Sequence, residues 1–244
     1  MGDRPTYKIH RIFKKKLRGA TSPHLCSLYG IIKHDNRDAP YCVYNEHVAM
    51  QLARHFRTPV CDGVLTITAK QLAFVSLKLT IAGISLPNAR ESQNKRICEL
   101  YPAEAAALMV FDILIGNFDR NLNMKATVAT PQHRLLRGFD HSESLLGICT
   151  TPWDSIIELA SKDLIVHDHP FYGKLPWHRI KEAIFDIDCH KDDYMPFHAA
   201  CVHEKPFNNV PVKIQKALAA SLVVRAENLK EIISKHEGKV ANGE

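Results

Sequence analysis

The sequence predicts an α+β fold in two lobes, a small strand-rich N-terminal lobe over residues 1–78 and a mostly helical C-terminal lobe over residues 79–244. Two observations carry that prediction: apolar residues alternate with polar ones through the first third of the chain, and after residue 79 they recur at helical spacing instead. A third sets the scale. The 244 residues, 45% hydrophobic and 24% charged, suit one large domain or two small lobes and suffice to bury a sizeable core.

The alternating segments are Tyr7 to Phe13, Leu25 to Lys33, Gly63 to Thr68 and Leu72 to Leu79. One helix interrupts them, with Asn45 as its cap, Val48, Ala49, Leu52, Ala53 and Phe56 as one apolar stripe, and Pro59 closing it. Farther on, Pro102 introduces a buried helix ending at Ile115, and Ile214, Leu218, Leu222, Leu229 and Ile233 mark a long helix between Val210 and His236. Ala126 to Thr130 and His133 to Phe139 flank Pro131 as a short hairpin, and Trp177 to Phe185 reads as a short helix. The lobes join near Phe74 to Thr80, so a cleft between them is the natural place for a ligand.

The net charge of +6 sits at the N-terminus: Met1 to Gly19 holds seven basic residues against Asp3, and the rest of the chain balances at 25 of each sign. A nucleic-acid contact through Lys14-Lys15-Lys16-Leu17-Arg18 is one reading, but a solvated basic strand end accounts for the run. No zinc finger or aromatic-interleaved basic groove accompanies it, so nucleic acid is not an expected partner. Seven cysteines without a Cys-x-x-Cys pair argue against a disulfide framework or a structural zinc. No apolar run approaches the roughly 18 residues of a membrane span, and the chain reads as soluble and cytoplasmic. His167-Asp168-His169 and Cys189-His190 read as solvated loop residues rather than a metal site. A metal-dependent phosphohydrolase would need its His-Asp pairs presented from a helical bundle, whereas His34 sits among strands. The absence of Gly-x-x-x-x-Gly-Lys-Ser/Thr excludes a P-loop NTPase.

The most informative stretch is Phe111 to Leu146. It contains Gly-Asn-Phe-Asp-Arg-Asn-Leu-Asn from Gly116 to Asn123 and Gly-Phe-Asp-His-Ser from Gly138 to Ser142. A buried helix thus delivers Asp119 into one loop, and an apolar strand delivers Asp140 into another. Carboxylates and an amide on neighbouring loops are hard oxygen donors of the kind that hold Mg²⁺ while leaving positions for phosphates. Either aspartate alone is also what an ordinary surface turn contains.

These two loops resemble the catalytic and metal-binding loops of the HipA-like kinases. Upstream, Arg18-Gly-Ala-Thr-Ser-Pro-His-Leu25 is similar to that family's phosphate-covering turn. Gly30-Ile-Ile-Lys33 is similar to the strand ending in its ATP-binding lysine, and Tyr44-Asn-Glu46 to the start of the helix that supplies the partner carboxylate. The matches run in the expected order from about Gly19 to Leu145. The resemblance implies a two-lobed protein-kinase-like fold that binds ATP and Mg²⁺ and transfers the γ-phosphoryl group to a hydroxyl, Ser or Thr of a protein. It implies that Asp119 orients the attacking hydroxyl, Asp140 and Asn123 hold the metal, and Lys33, positioned by Glu46, meets the α and β phosphates. Gly19, Thr21 and Ser22 would cover the phosphates, and the strand bearing Leu77 would run into the hinge that meets adenine. An antitoxin-like protein partner is a further implication, because some members of the family act beside one.

The residues alone leave alternatives open. Lys33 is equally a strand-end lysine facing solvent, Lys78 is a competitor for its role, and Glu46 is equally a residue of the helix dipole or cap. In the family the metal-binding asparagine usually comes five residues after the catalytic aspartate. Here that position is Met124, a poor Mg²⁺ ligand, and Asn123 comes four after, with Asn121 a second candidate. A pseudokinase that binds nucleotide without transferring phosphate, working as an interaction module, is therefore the competing reading.

Overall fold

The computed structural model describes residues 6–7, 9–16, 24–68, 71–81, 84–128, 134–189, 194–204, 207 and 209–243. Strands dominate up to residue 85. They are β1 (Thr6–Tyr7), β2 (Ile9–Lys16), β3 (His24–Leu28), β4 (Gly30–Lys33), β5 (Gly63–Thr68), β6 (Gln71–Leu77), β7 (Leu79–Ile81) and β8 (Ile84–Ser85). A single helix, α1 (Cys42–His55), lies between β4 and β5.

The strands form small antiparallel sheets: β2 with β3, β4-β6-β5 with β6 central, and β1-β7-β8. The expected strand Leu25 to Lys33 is two strands. Tyr29 separates β3 from β4, and each half joins a different sheet. In the central sheet Lys33 pairs with Phe74 and Gly30 with Leu77, and the Leu77 N–H donates to the Asp62 carbonyl at 2.8 Å.

Helix α1 begins at Cys42, three residues before the expected cap. The Asp35 carboxylate, eight residues back in the polar turn, accepts the Val43 N–H at 2.9 Å and takes the capping role that Asn45 would have filled. Asn45 is instead buried inside the helix. The expected stripe Val48, Ala49, Leu52, Ala53 and Phe56 is buried, and α1 packs on β5 and β6 as well as on helical elements from the second part of the chain.

After residue 90 the chain is mainly helical: α2 (Asn94–Leu100), α3 (Pro102–Ile115), α4 (Pro152–Ala160), α5 (Trp177–Asp188), α6 (Tyr194–Cys201), α7 (Val212–Ser234) and α8 (Glu237–Val240). A short antiparallel pair, β9 (Met124–Ala126) and β10 (Leu136–Gly138), is the expected hairpin with its first strand starting two residues earlier. Helix α3 carries ten buried residues from Ala105 to Ile115, because α5, α7, α2 and β10 surround it. One apolar core runs from Val43 and Leu52 through Phe74, Leu108 and Ile113 to Leu222. Each Leu or Ile fully removed from water there contributes roughly 1.5–3 kcal/mol. No helix among the described residues is long and apolar enough to cross a membrane.

Candidate functional site

Three chain segments meet at Lys33. It ends β4, and its ammonium lies 2.6 Å from Glu46 Oε1 and 2.8 Å from Asp140 Oδ1. Glu46 is 3% exposed. Besides Lys33 it accepts the His141 backbone N–H at 2.9 Å. Burial pushes the Glu46 carboxyl upward, but His141 and the Lys33 ammonium outweigh it and pull its pKa down to about 2. Burial likewise opposes the charged form of Lys33, and the two carboxylates overcome it, so its pKa is raised. Lys78, the competing lysine, lies just past β6, where its N–H donates to the Tyr29 carbonyl at 3.0 Å.

Asp140 follows β10 with φ +61°, a left-handed conformation that Asp tolerates better than most side chains. Its Oδ1 also accepts the Ser142 hydroxyl at 2.9 Å. Across from it, Gly116 ends α3 with φ +67°, turning the chain toward Asp119. Burial and the neighbouring Asp140 carboxylate both raise the pKa of Asp119. Asn123 Nδ2 donates to the Asp119 carbonyl at 2.8 Å and to its carboxylate at 3.0 Å. That geometry is one helical turn of reach, which a four-residue spacing supplies. The amide oxygen of Asn123 points to the other end of the same group. Met124 opens β9 and is buried in the core, so its thioether is a packing group.

The structure thus brings Lys33, Glu46 and Asp140 into direct contact and pairs Asp119 with Asn123. Leu77 ends β6 beside Gly30 at the start of the strand that carries Lys33. Gly19, Thr21 and Ser22 lie outside the described residues.

Beneath both loops is a buried ionic frame. Asp112 and Arg120 are fully buried and joined by two parallel hydrogen bonds of 2.8 Å, from Nε to Oδ2 and from Nη2 to Oδ1. Nη1 donates to the carbonyls of Asn123 at 2.7 Å and Phe139 at 2.6 Å, and Nη2 meets His141 Nε2 at 3.0 Å. All five guanidinium donors therefore have partners. Because arginine only donates, His141 Nε2 accepts, which leaves the ring proton on Nδ1, 3.8 Å from Glu46 Oε2. Asp112 also accepts from Asn117 Nδ2 at 2.8 Å and His169 Nε2 at 3.1 Å. Burial raises its pKa, but the Arg120 charge dominates and holds the carboxyl well below the usual range. Gly138 is required above this frame, since a Cβ there would stand 2.9 Å from Arg120 Nη1.

Asn45 makes a second tie. Its Nδ2 donates to the Ser142 carbonyl at 2.9 Å and its Oδ1 accepts the Leu146 N–H at 3.3 Å. Asp112, Arg120, His141, His169 and Asn45 carry no expectation from the motifs. The signal that finds Asp112 is its isolation, as a lone carboxylate in the otherwise apolar run Leu108 to Ile115 demands a buried counter-charge.

Comparison with solved structures gives two informative likenesses. A Helicobacter pylori proinflammatory kinase, CtkA, superposes with a TM-score of 0.62 at 17% identity, covering 95% of this chain and 96% of that one. HipA of a Shewanella oneidensis MR-1 toxin–antitoxin system, in complex with HipB and operator DNA, gives a TM-score of 0.57 at 12% identity. That likeness covers 87% of this chain and 62% of the HipA chain. This chain has the HipA-like kinase fold. The mixed helix and strand content with small sheets matches both proteins. No protein-family model matches the sequence, and no curated protein sequence does either.

Proposed function

We propose that the chain is a two-lobed HipA-like kinase that binds ATP with Mg²⁺ and transfers the γ-phosphoryl group to a hydroxyl, Ser or Thr of a protein. The observation that carries this reading is the convergence of Lys33, Glu46 and Asp140 at 2.6 and 2.8 Å from segments more than a hundred residues apart at their extremes. Lys33, held by Glu46, meets the α and β phosphates, and its raised pKa keeps it cationic throughout the physiological range. Asp119 orients the acceptor hydroxyl and takes its proton, a task in which placement outweighs basicity because the transition state is loose.

The donor set fits a hard cation. Asp140 supplies carboxylate oxygen and Asn123 an amide oxygen, and neither needs the Met124 sulfur. Mg²⁺, when bound there, would neutralise charge developing on the phosphates. The hydrogen bond from Asn123 to Asp119 supports a working loop despite the short spacing, because it fixes the carboxylate that must meet the hydroxyl.

A cytoplasmic setting and an antitoxin-like protein partner belong to the same proposal, the latter suggested by the complex in which the Shewanella HipA was solved. The test compares wild type with Asp119→Asn and Asp140→Asn, following thermal stabilisation by ATP and Mg²⁺ together with transfer of label from γ-labelled ATP. A kinase shows both in wild type and loses transfer in both variants. Stabilisation without transfer identifies the pseudokinase, and neither signal from folded protein ends the proposal.

A further inference from the structure

A cavity of about 760 Å³ borders the Asp119–Asn123 loop at Asn121, and Glu91, Asn94, Asp168, His169 and Tyr172 also line it. Asn94, the first residue of α2, is 3% exposed, yet its Oδ1 has no hydrogen-bond partner among the described residues. A buried amide oxygen left without a donor costs about 1–3 kcal/mol, so its retention points to a donor that arrives from outside. Glu91 and Asp168 are exposed and form no ion pair among the described residues. The two lysines of the cavity are gathered at Tyr172 instead. Lys174 donates to the Tyr172 carbonyl at 3.3 Å, and Lys239 lies 5.9 Å from the centre of its ring.

Two carboxylates and an unmet amide oxygen together call for a cation rich in N–H donors, which a guanidinium supplies better than an ammonium. The position matters as much as the chemistry. Asn121 lies between Asp119 and Asn123, and His169, which lines the cavity, hydrogen-bonds the Asp112 that holds Arg120. We propose that this cavity is an acceptor-docking subsite that takes an arginine side chain of the polypeptide whose hydroxyl meets Asp119. The role as an acceptor subsite rests on the kinase reading above.

The test uses fluorescein-labelled, Ser-centred alanine peptides in which one Arg is walked along the flanks, with a matching set carrying Glu. Binding is measured by anisotropy without nucleotide and with EDTA, so that neither ATP nor a divalent ion contributes. The expected result is one preferred Arg register, no binding by the Glu set, and a loss of about tenfold or more in Glu91→Gln with Asp168→Asn. Asn94→Leu should weaken the same peptide while leaving the protein folded, since it removes an oxygen that has no internal partner. With ATP and Mg²⁺ present, the pocket variants should raise KM for the Arg peptide far more than they lower kcat. Absence of any Arg preference, or binding undiminished in the double variant, overturns the proposal. Peptide binding that follows the pocket variants in a protein showing neither ATP stabilisation nor transfer supports the cavity's specificity and overturns the kinase reading instead.

Discussion

At the scale of single residues, the loop after Asp119 shows what the site costs locally. Leu122 is exposed and holds φ +63°, a conformation in which an L side chain with a bulky Cβ substituent is strained. Asn adopts it more readily, so Leu122→Asn should raise stability by about 0.5–1 kcal/mol, seen as a higher urea midpoint at unchanged slope. An unchanged midpoint would mean that the strain is not there. Its neighbour Asn123 carries the opposite expectation. Asn123→Leu keeps the volume but removes the donor to Asp119 and the amide oxygen, and phosphoryl transfer should fall about 10–100-fold with ATP stabilisation measured alongside. Transfer at the wild-type rate would exclude Asn123 from the site. Lys33, Glu46, Asp119 and Asp140 are legible in the sequence because their motifs occur in order and each places a charged group at the end of an element. Leu122's strain is not legible, since sequence spacing carries no information about the sign of φ.

At the scale of elements, α1 presents three consecutive polar residues to three different neighbours. Asn45 holds the loop from Ser142 to Leu146, Glu46 meets Lys33 and His141, and His47 stacks on His203 at 4.8 Å between ring centres. Successive helix residues project about 100° apart, so one helix can serve three partners only if it is buried nearly all round. Its apolar stripe is legible from spacing. The burial of the polar side is not, because the groups that cover it lie about a hundred residues and more downstream and no local pattern announces them. His47 gives this burial a measurable consequence. Burial, helped by His203 and Arg54, lowers its pKa to about 4. The unfolded chain therefore takes up a proton on this residue below pH ~6.5 that the folded chain refuses until about pH 4. Stability should be complete above pH ~6.5 and decline as pH falls toward 4, by about 3 kcal/mol from this group, and His47→Phe should flatten that part of the curve in chemical denaturation. An equally steep decline in the variant would place the acid sensitivity elsewhere.

At the scale of the whole molecule, the two loops that carry Asp119 and Asp140 hang from one guanidinium. Arg120 joins the carbonyls of Asn123 and Phe139 to the fully buried Asp112, which His169 holds from the other side. The arrangement makes the loops a single body, and it explains why Arg120, beside Asp119 in the sequence, turns inward while Asp119 faces out. Removing the guanidinium leaves Asp112 buried without its counter-charge, so Arg120→Met should cost about 3–5 kcal/mol. The pH dependence distinguishes this cause from lost packing. In wild type the Asp112 pKa lies below its ordinary value, so its contribution is present above pH ~4 and fades as acid protonates it. Without Arg120, burial remains and the attraction is gone, so the folded-state pKa moves above the unfolded one and the sign reverses. The gap in unfolding free energy between wild type and Arg120→Met should therefore widen as pH rises from ~4 to ~7. It should shrink when Asp112→Asn is added, because the buried group then carries no charge at any pH. A gap that stays constant with pH would assign the loss to packing and would detach the catalytic loops from this ion pair.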